Sequence, residues 1–279
     1  MNFSFFTFGG ALFWEDVFFY QKWRIQRHCF SKKYRLLDSW DIRRASGTFE
    51  NCRKAFIECI DSYEITKQPN HMTILLHGYA DGKNIFKNLW RKLILTNSSV
   101  ASLNYPSLFR NSTESALQLL FFLNHMEGIE EVSFVTKGAG NLVLEKALNM
   151  PIEYQTFSDK VVIKNVVELN PVVRECFLCE LLDKIKIFNF LLGPMFKDMT
   201  ESKLKNSAGI PLNINYIKIF CESRGYKLFA KTFGISREDN DIKSNKNKRI
   251  IYLKTNKFKS LHSEEVLNFI VKFINNGKI

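Results

Sequence analysis

From about residue 66 onward, short apolar runs alternate with segments whose apolar positions recur every three to four residues. Met72 to Gly78 is a continuous apolar run closing in His77-Gly78, the profile of a strand buried on both faces. Asn84 to Leu95 then places Ile85, Leu89 and Leu93 on one helix face. Val100 to Leu103 reads as a second strand, followed by Asn104-Tyr105-Pro106-Ser107. Ala116, Leu119, Leu120 and Leu123 define a helix that Ser112 can cap, with Ser115 short of a capping box. Val132 to Val135 is a further buried strand, Thr136 to Gly140 a turn of small residues, and Asn141 to Leu148 a helix. Ile163 to Leu169, Ile214 to Cys221 and Arg249 to Leu253 complete the strands, and Glu264 to Ile274 the closing helix. This rhythm predicts α/β architecture, a doubly wound and mostly parallel sheet flanked by helices.

Two stretches depart from the rhythm. In residues 1–65, Phe13, Trp14, Val17, Phe18, Tyr20 and Trp23 suggest a largely apolar helix, and Phe49, Cys52, Phe56, Cys59, Ile60 and Tyr63 an amphipathic one after Thr48. The expectation is an N-terminal helical leader packed on a domain spanning 66–279. Residues 172–210 are apolar and helical in pattern and contain Gly193-Pro194, which fits a cap-like insertion.

Composition narrows the class. With 279 residues, 46% hydrophobic and 24% charged, the chain can bury a full core and is not a disordered protein. The formal charge of +12 is spread along the chain without a nucleic-acid motif, so a nucleic-acid partner is not expected. Phe and Trp beside Arg24, Arg27, Lys32, Lys33 and Arg35 leave peripheral contact with a membrane surface open. The six cysteines follow no framework spacing, and Cys176 and Cys179 sit in a helical pattern with no second pair. Free thiols and a cytoplasmic location are the expectation. The first residues carry no basic leader or small-residue cleavage site, and Glu15 and Asp16 interrupt their apolar run. No P-loop, dinucleotide fingerprint or metal-ligand spacing is present, so no cofactor and no metal are expected.

Residues Leu75 to Ala147 hold, in order, a His-Gly after a strand, an Asn-Tyr-Pro-Ser segment after the next, and VSFVTKGAG before a helix. In this the chain resembles the bacterial α/β-hydrolase family of small lipase- or esterase-like proteins, whose members carry V-S-F-V-G-H-S-x-G-G at the third position. The leader, with GGALFWEDVFFYQKWRIQR and YRLLDSWDIRRA, is similar to that of members of the same group. The resemblance implies a strand–turn–helix nucleophile elbow. It places Gly138 where the serine would stand, and glycine has no side chain to attack an acyl carbon.

The same resemblance implies other roles. The main-chain N–H groups of Tyr79 and Ala139 would form an oxyanion hole. Asp241, in Asp239-Asn240-Asp241 with Ile242 where the family has glycine, would orient the base. His262 would be the base, although it lies some five residues beyond the family's place, near Lys257. Thr136, Lys137 and Ser133 are the local candidates for a relocated nucleophile, and each reads better as structural. The expectation is a hydrolase-like pseudoenzyme of lipase or esterase ancestry that binds an apolar or acyl ligand. The alternatives are an active ester hydrolase with a displaced nucleophile, and a peripheral membrane protein.

Overall fold

The computed structural model describes residues 13–96, 99–172, 186–200, 209–211, 213–221 and 248–277. Among these residues ten strands form two sheets. Strands β1 (Trp14–Tyr20), β2 (Trp23–His28), β3 (Tyr34–Leu37) and β4 (Arg43–Gly47) make an antiparallel sheet in that order. Strands β5 (His71–Leu76), β6 (Ser99–Leu103), β7 (Glu131–Lys137), β8 (Val162–Leu169), β9 (Asn215–Cys221) and β10 (Lys248–Leu253) make the second sheet. Its order is β10-β9-β8-β7-β5-β6, with every pairing parallel. Helices α1 (Phe49–Ser62), α2 (Lys87–Leu93), α3 (Ser112–Asn124), α4 (Gly140–Leu148), α5 (Lys186–Thr200) and α6 (Glu264–Asn276) are described around them.

Both faces of the parallel sheet are covered, as its continuous apolar strands require. On one face Ile74, Leu76 and Phe134 pack with Leu119, Phe122 and Leu123 of α3 and with Val143 and Leu144 of α4. On the other, Leu75, Val135, Val167 and Ile219 pack with Leu89 and Leu93 of α2 and Ile270 and Phe273 of α6. The order reverses direction between β5 and β7, so the loops after those two strands lie side by side at the carboxyl edge, where parallel sheets of this kind place their sites.

The N-terminal region corrects the expected helix over Phe13–Trp23. Those residues form the β1–β2 hairpin, with Tyr20 opposite Trp23. The turn residues Gln21 and Lys22 both take positive φ, 47° and 72°, the geometry of a two-residue hairpin turn that normally advertises itself through Asn-Gly. Gln-Lys gives no such signal. The run is apolar throughout because Val17, Phe18, Trp23 and Ile25 pack beneath Cys52 and Phe56 of α1. That helix forms where the pattern places it, with the Thr48 hydroxyl accepting from the Asn51 N–H at 3.2 Å. The cap of α3 also differs from expectation. Asn111 is the N-cap, one residue before Ser112, and Glu114 completes a capping box.

Candidate functional site

Strand β7 delivers the chain to the carboxyl edge at Lys137, and α4 departs from Gly140. Between them Gly138 has φ +53°, the left-handed conformation that an elbow imposes on its apex residue. Its N–H donates to the Leu169 carbonyl at 3.1 Å, and its carbonyl accepts from the Asn141 N–H at 3.2 Å. Gly138 keeps partial solvent exposure. A Cβ built on it meets one heavy atom within 4 Å, the Gly78 Cα at 3.8 Å. Gly140 is the opposite case. A Cβ there would stand 2.5 Å from the Leu76 carbonyl oxygen and 2.8 Å from that of His77, so close packing of α4 on β5 demands glycine.

Facing the apex is the loop His77-Gly78-Tyr79-Ala80-Asp81. His77 is fully buried and stacks on the Tyr105 ring at 4.1 Å and 8°. Its Nδ1 lies 2.8 Å from the Gly78 carbonyl, and the Tyr105 N–H points at Nε2 from 3.5 Å. These partners assign the proton to Nδ1. The Tyr105 hydroxyl donates to the His77 carbonyl. Burial lowers the His77 pKa and raises that of Tyr105, with Asp81 adding to the Tyr105 shift. Both rings are therefore neutral struts. Ala80, at φ +55°, donates its N–H to the Ser107 hydroxyl at 3.1 Å. The Asn-Tyr-Pro-Ser segment thus braces this loop from below.

An ion pair that the sequence did not suggest ties the two halves together. Lys137 Nζ lies 2.8 Å from Asp81 Oδ2, with both side chains partly exposed. The Lys137 carbonyl and the Asp81 carboxylate also press on Gly78, where a Cβ would meet them at 3.3 and 2.9 Å. The backbones after β5 and β7 are held in near contact, and among the described residues the N–H groups of Tyr79 and Ala139 bond to no other main-chain group.

Helix α5 lies over one side of the loop. It is interrupted at Gly193 (φ +76°), where a Cβ would overlap the Leu108 carbonyl. The Tyr79 hydroxyl donates to the Leu192 carbonyl, and its ring meets Phe196 at 5.8 Å. Asp198 accepts from both the N–H and the hydroxyl of Ser112, at 2.7 Å for the N–H, and so adds a second cap to α3.

The remaining expected residues are not gathered at the apex. Asp241 lies outside the described residues, as do Cys176 and Cys179. His262 ends a 3₁₀ turn (Lys257–His262) after β10, and its side chain is exposed. In that turn Ser260 and Leu261 point inward, with Ser260 accepting from Asn170 Nδ2 at 3.2 Å. Among the described residues the His262 side chain makes no hydrogen bond or ion pair. Thr136 is fully buried, flanked in register by Leu76 and Glu168. Ser133 lies 3.0 Å from His71 Nε2, but Ser133 is fully buried. A serine hydroxyl with no access to solvent has no route to a substrate, although His71 itself is partly exposed. Among the described residues no group of His, Cys, Asp and Glu could hold a metal ion.

With this geometry in place, comparison with known proteins gives a consistent but distant picture. No protein-family model and no curated protein sequence matches the chain. Among solved structures, a gene product of Listeria innocua superposes with a TM-score of 0.51 at 10% identity, covering 76% of this chain and 96% of that one. Tomato methylketone synthase I, complexed with 2-tridecanone, gives 0.47 at 12% identity over 75% of this chain and all of the other. A thermophilic esterase from Thermogutta terrifontis gives 0.47 at 8% identity, over 76% and 92%. The six parallel strands in their order, the elbow at Gly138 and the loop across from it define the fold: this is an α/β-hydrolase fold.

Proposed function

We propose that this chain is an α/β-hydrolase-fold protein of lipase or esterase ancestry that no longer carries out nucleophilic hydrolysis, and that its elbow holds the carbonyl or carboxylate end of an acyl ligand. The single observation that carries the reading is Gly138. It sits at the elbow apex at φ +53°, with open space where a nucleophile would project. Hydrolysis by an elbow requires a side chain to attack the acyl carbon, and main-chain donors alone stabilise charge without forming the covalent intermediate. What the site retains is the part built from backbone, the N–H groups of Tyr79 and Ala139 at the start of α4. The full burial of Ser133 and Thr136 weighs against a relocated nucleophile.

Glycine at the apex also has a physical rationale. The left-handed conformation costs a residue with a side chain about 1–3 kcal/mol, and glycine adopts it freely. Once the hydroxyl was not needed, stability alone favoured its loss.

The test is labelling with a fluorophosphonate probe, on the natural chain and on Gly138→Ser. The expected outcome is no labelling of the natural chain, with Gly138→Ser costing about 1–3 kcal/mol of stability. Labelling of the natural chain overturns the reading, and the mapped adduct identifies the true nucleophile. Ligand binding is checked separately with a saturated fatty acid. Ala139 has φ −65°, the value proline requires, so Ala139→Pro deletes one donor, and an unchanged thermal unfolding midpoint checks that Gly138 before it keeps its turn. It should weaken binding about tenfold, and unchanged binding removes the elbow as the ligand site.

A further inference from the structure

Away from the elbow, three phenylalanines from distant parts of the sequence meet at the surface. Phe13 precedes β1, Phe30 lies in the turn between β2 and β3, and Phe109 follows β6. Their ring centroids are 5.1 Å (Phe13–Phe109), 5.7 Å (Phe30–Phe109) and 6.1 Å (Phe13–Phe30) apart. Their exposures are 37%, 62% and 38%. Aromatic rings that have found one another normally do so to leave water. Even packed together, these three rings each leave more than a third of their surface open to water.

The rim of the cluster is basic. Lys32 and Lys33 follow Phe30 in the same turn, and both are exposed. Arg110 follows Phe109 and fastens the two segments by donating to the Cys29 carbonyl. Beside the rings runs a groove of about 460 Å³ lined by Lys32, Arg27, Arg110, Glu15 and Glu114 among others. Two of its three carboxylates are already engaged, Glu15 by Arg27 and Glu114 by Arg110, and the third, Glu153, is exposed. Among the described residues Lys32 and Lys33 enter no ion pair. The local balance is an apolar tip with two lysines outside any ion pair at its edge, against the one carboxylate of Glu153 in the groove, on a chain of net charge +12.

We propose that Phe13, Phe30 and Phe109, rimmed by Lys32 and Lys33, form a docking surface for an anionic lipid bilayer. The rings enter the acyl boundary, and the lysines meet the headgroup phosphates. Rings at the interface and lysines at the phosphate level is the arrangement by which soluble proteins lie on such surfaces. Phosphate draws the lysines, and acyl chains take up the ring faces that water solvates poorly. The loop that carries Phe109 also carries Ser107 and Leu108. Ser107 braces the loop facing the elbow, and Leu108 supports α5. The docking surface and the elbow thus share one structural support. The inference stands independently of what the elbow binds, because its residues and its test are separate.

The experiment is co-sedimentation of the full chain with phosphatidylcholine vesicles, with and without phosphatidylserine. The expected result is binding to the anionic vesicles that weakens as salt is raised. Lys32→Glu with Lys33→Glu should reduce partitioning by at least about fivefold per lysine. Lys259→Glu with Lys272→Glu changes net charge equally at exposed positions near and on α6, and should have a clearly smaller effect. Phe30→Ser with Phe109→Ser should abolish binding while leaving the thermal unfolding transition in place. Four results would overturn the proposal. These are no binding to either vesicle, equal loss from both lysine pairs, binding unchanged by the phenylalanine substitutions, or binding lost on Phe5→Ser with Phe6→Ser instead.

Discussion

Two glycines two positions apart show how differently one residue type can be required. At Gly138 the demand is on the dihedral, and the space beyond it is open. At Gly140 the demand is on space, with two carbonyl oxygens within 3 Å of any Cβ. The sequence displays both as Gly, and only the resemblance to a G-x-S-x-G pattern singles out the first. His77 is equally opaque in sequence. It reads as the first half of a His-Gly turn and proves to be a fully buried strut against Tyr105. Burial holds its pKa below the ordinary 6.5. As pH falls below that value the unfolded chain takes up a proton that the folded chain refuses, so stability falls with pH. His71, also lowered by burial, acts in the same sense. Thermal unfolding followed from neutral to mildly acidic pH should show a declining midpoint, and His77→Asn, though less stable throughout, should show a flatter decline. A slope unchanged by the substitution would mean that His77 takes up its proton as readily in the fold as in the unfolded chain.

The elements were legible where packing enforces a period. Strands β5 to β7 are buried along most of their length and read as apolar runs, and β8 to β10, which carry Lys164, Lys218 and the exposed Tyr252, keep enough apolar positions that all six fell within a residue or two of their places. The β1–β2 hairpin was not legible, because its turn residues hold positive φ without being Gly, Asn or Asp. Its strands are apolar enough to imitate a buried helix. Nor could a sequence announce that α3 has a second cap from residue 198. Asp198 accepts from the Ser112 N–H at 2.7 Å, beside a Lys146 contact at 3.7 Å. Asp198→Ala should cost about 1–2 kcal/mol, the range for a lost N-terminal cap. Lys146→Met should cost less, since a partly exposed pair contributes little. Denaturant melts read the difference as a shifted midpoint with unchanged slope.

The two sheets join through a few buried polar side chains. Asp16 accepts from the Asn104 N–H and from Gln26 Nε2, each at 2.7 Å, and its own N–H donates to the Asn104 carbonyl at 2.9 Å. Gln118 on α3 donates to both the Asp16 and the Asn104 carbonyls. Asp16→Ala would strand these donors away from water and should cost about 2–4 kcal/mol. Urea unfolding measures it, and a loss under 1 kcal/mol would mean that water replaces the carboxylate. Apolar patterning in the N-terminal region could not reveal this joint, because it is made by the residues that interrupt the pattern. The same joint sits at the end of the six-stranded row, where among the described residues β6 has a neighbour on one side only. Asp16 occupies main-chain groups at its tip, and the Trp90 indole N–H takes the Val100 carbonyl at 3.1 Å. At the far end of the row β10 opens with Lys248-Arg249 and is followed by Lys254. A terminal strand with free amides is a template for adding another chain. Among the described residues one terminus is plugged by side chains and the other carries basic residues, so at these two edges crowded copies find no ready seam along which to zip into fibrils.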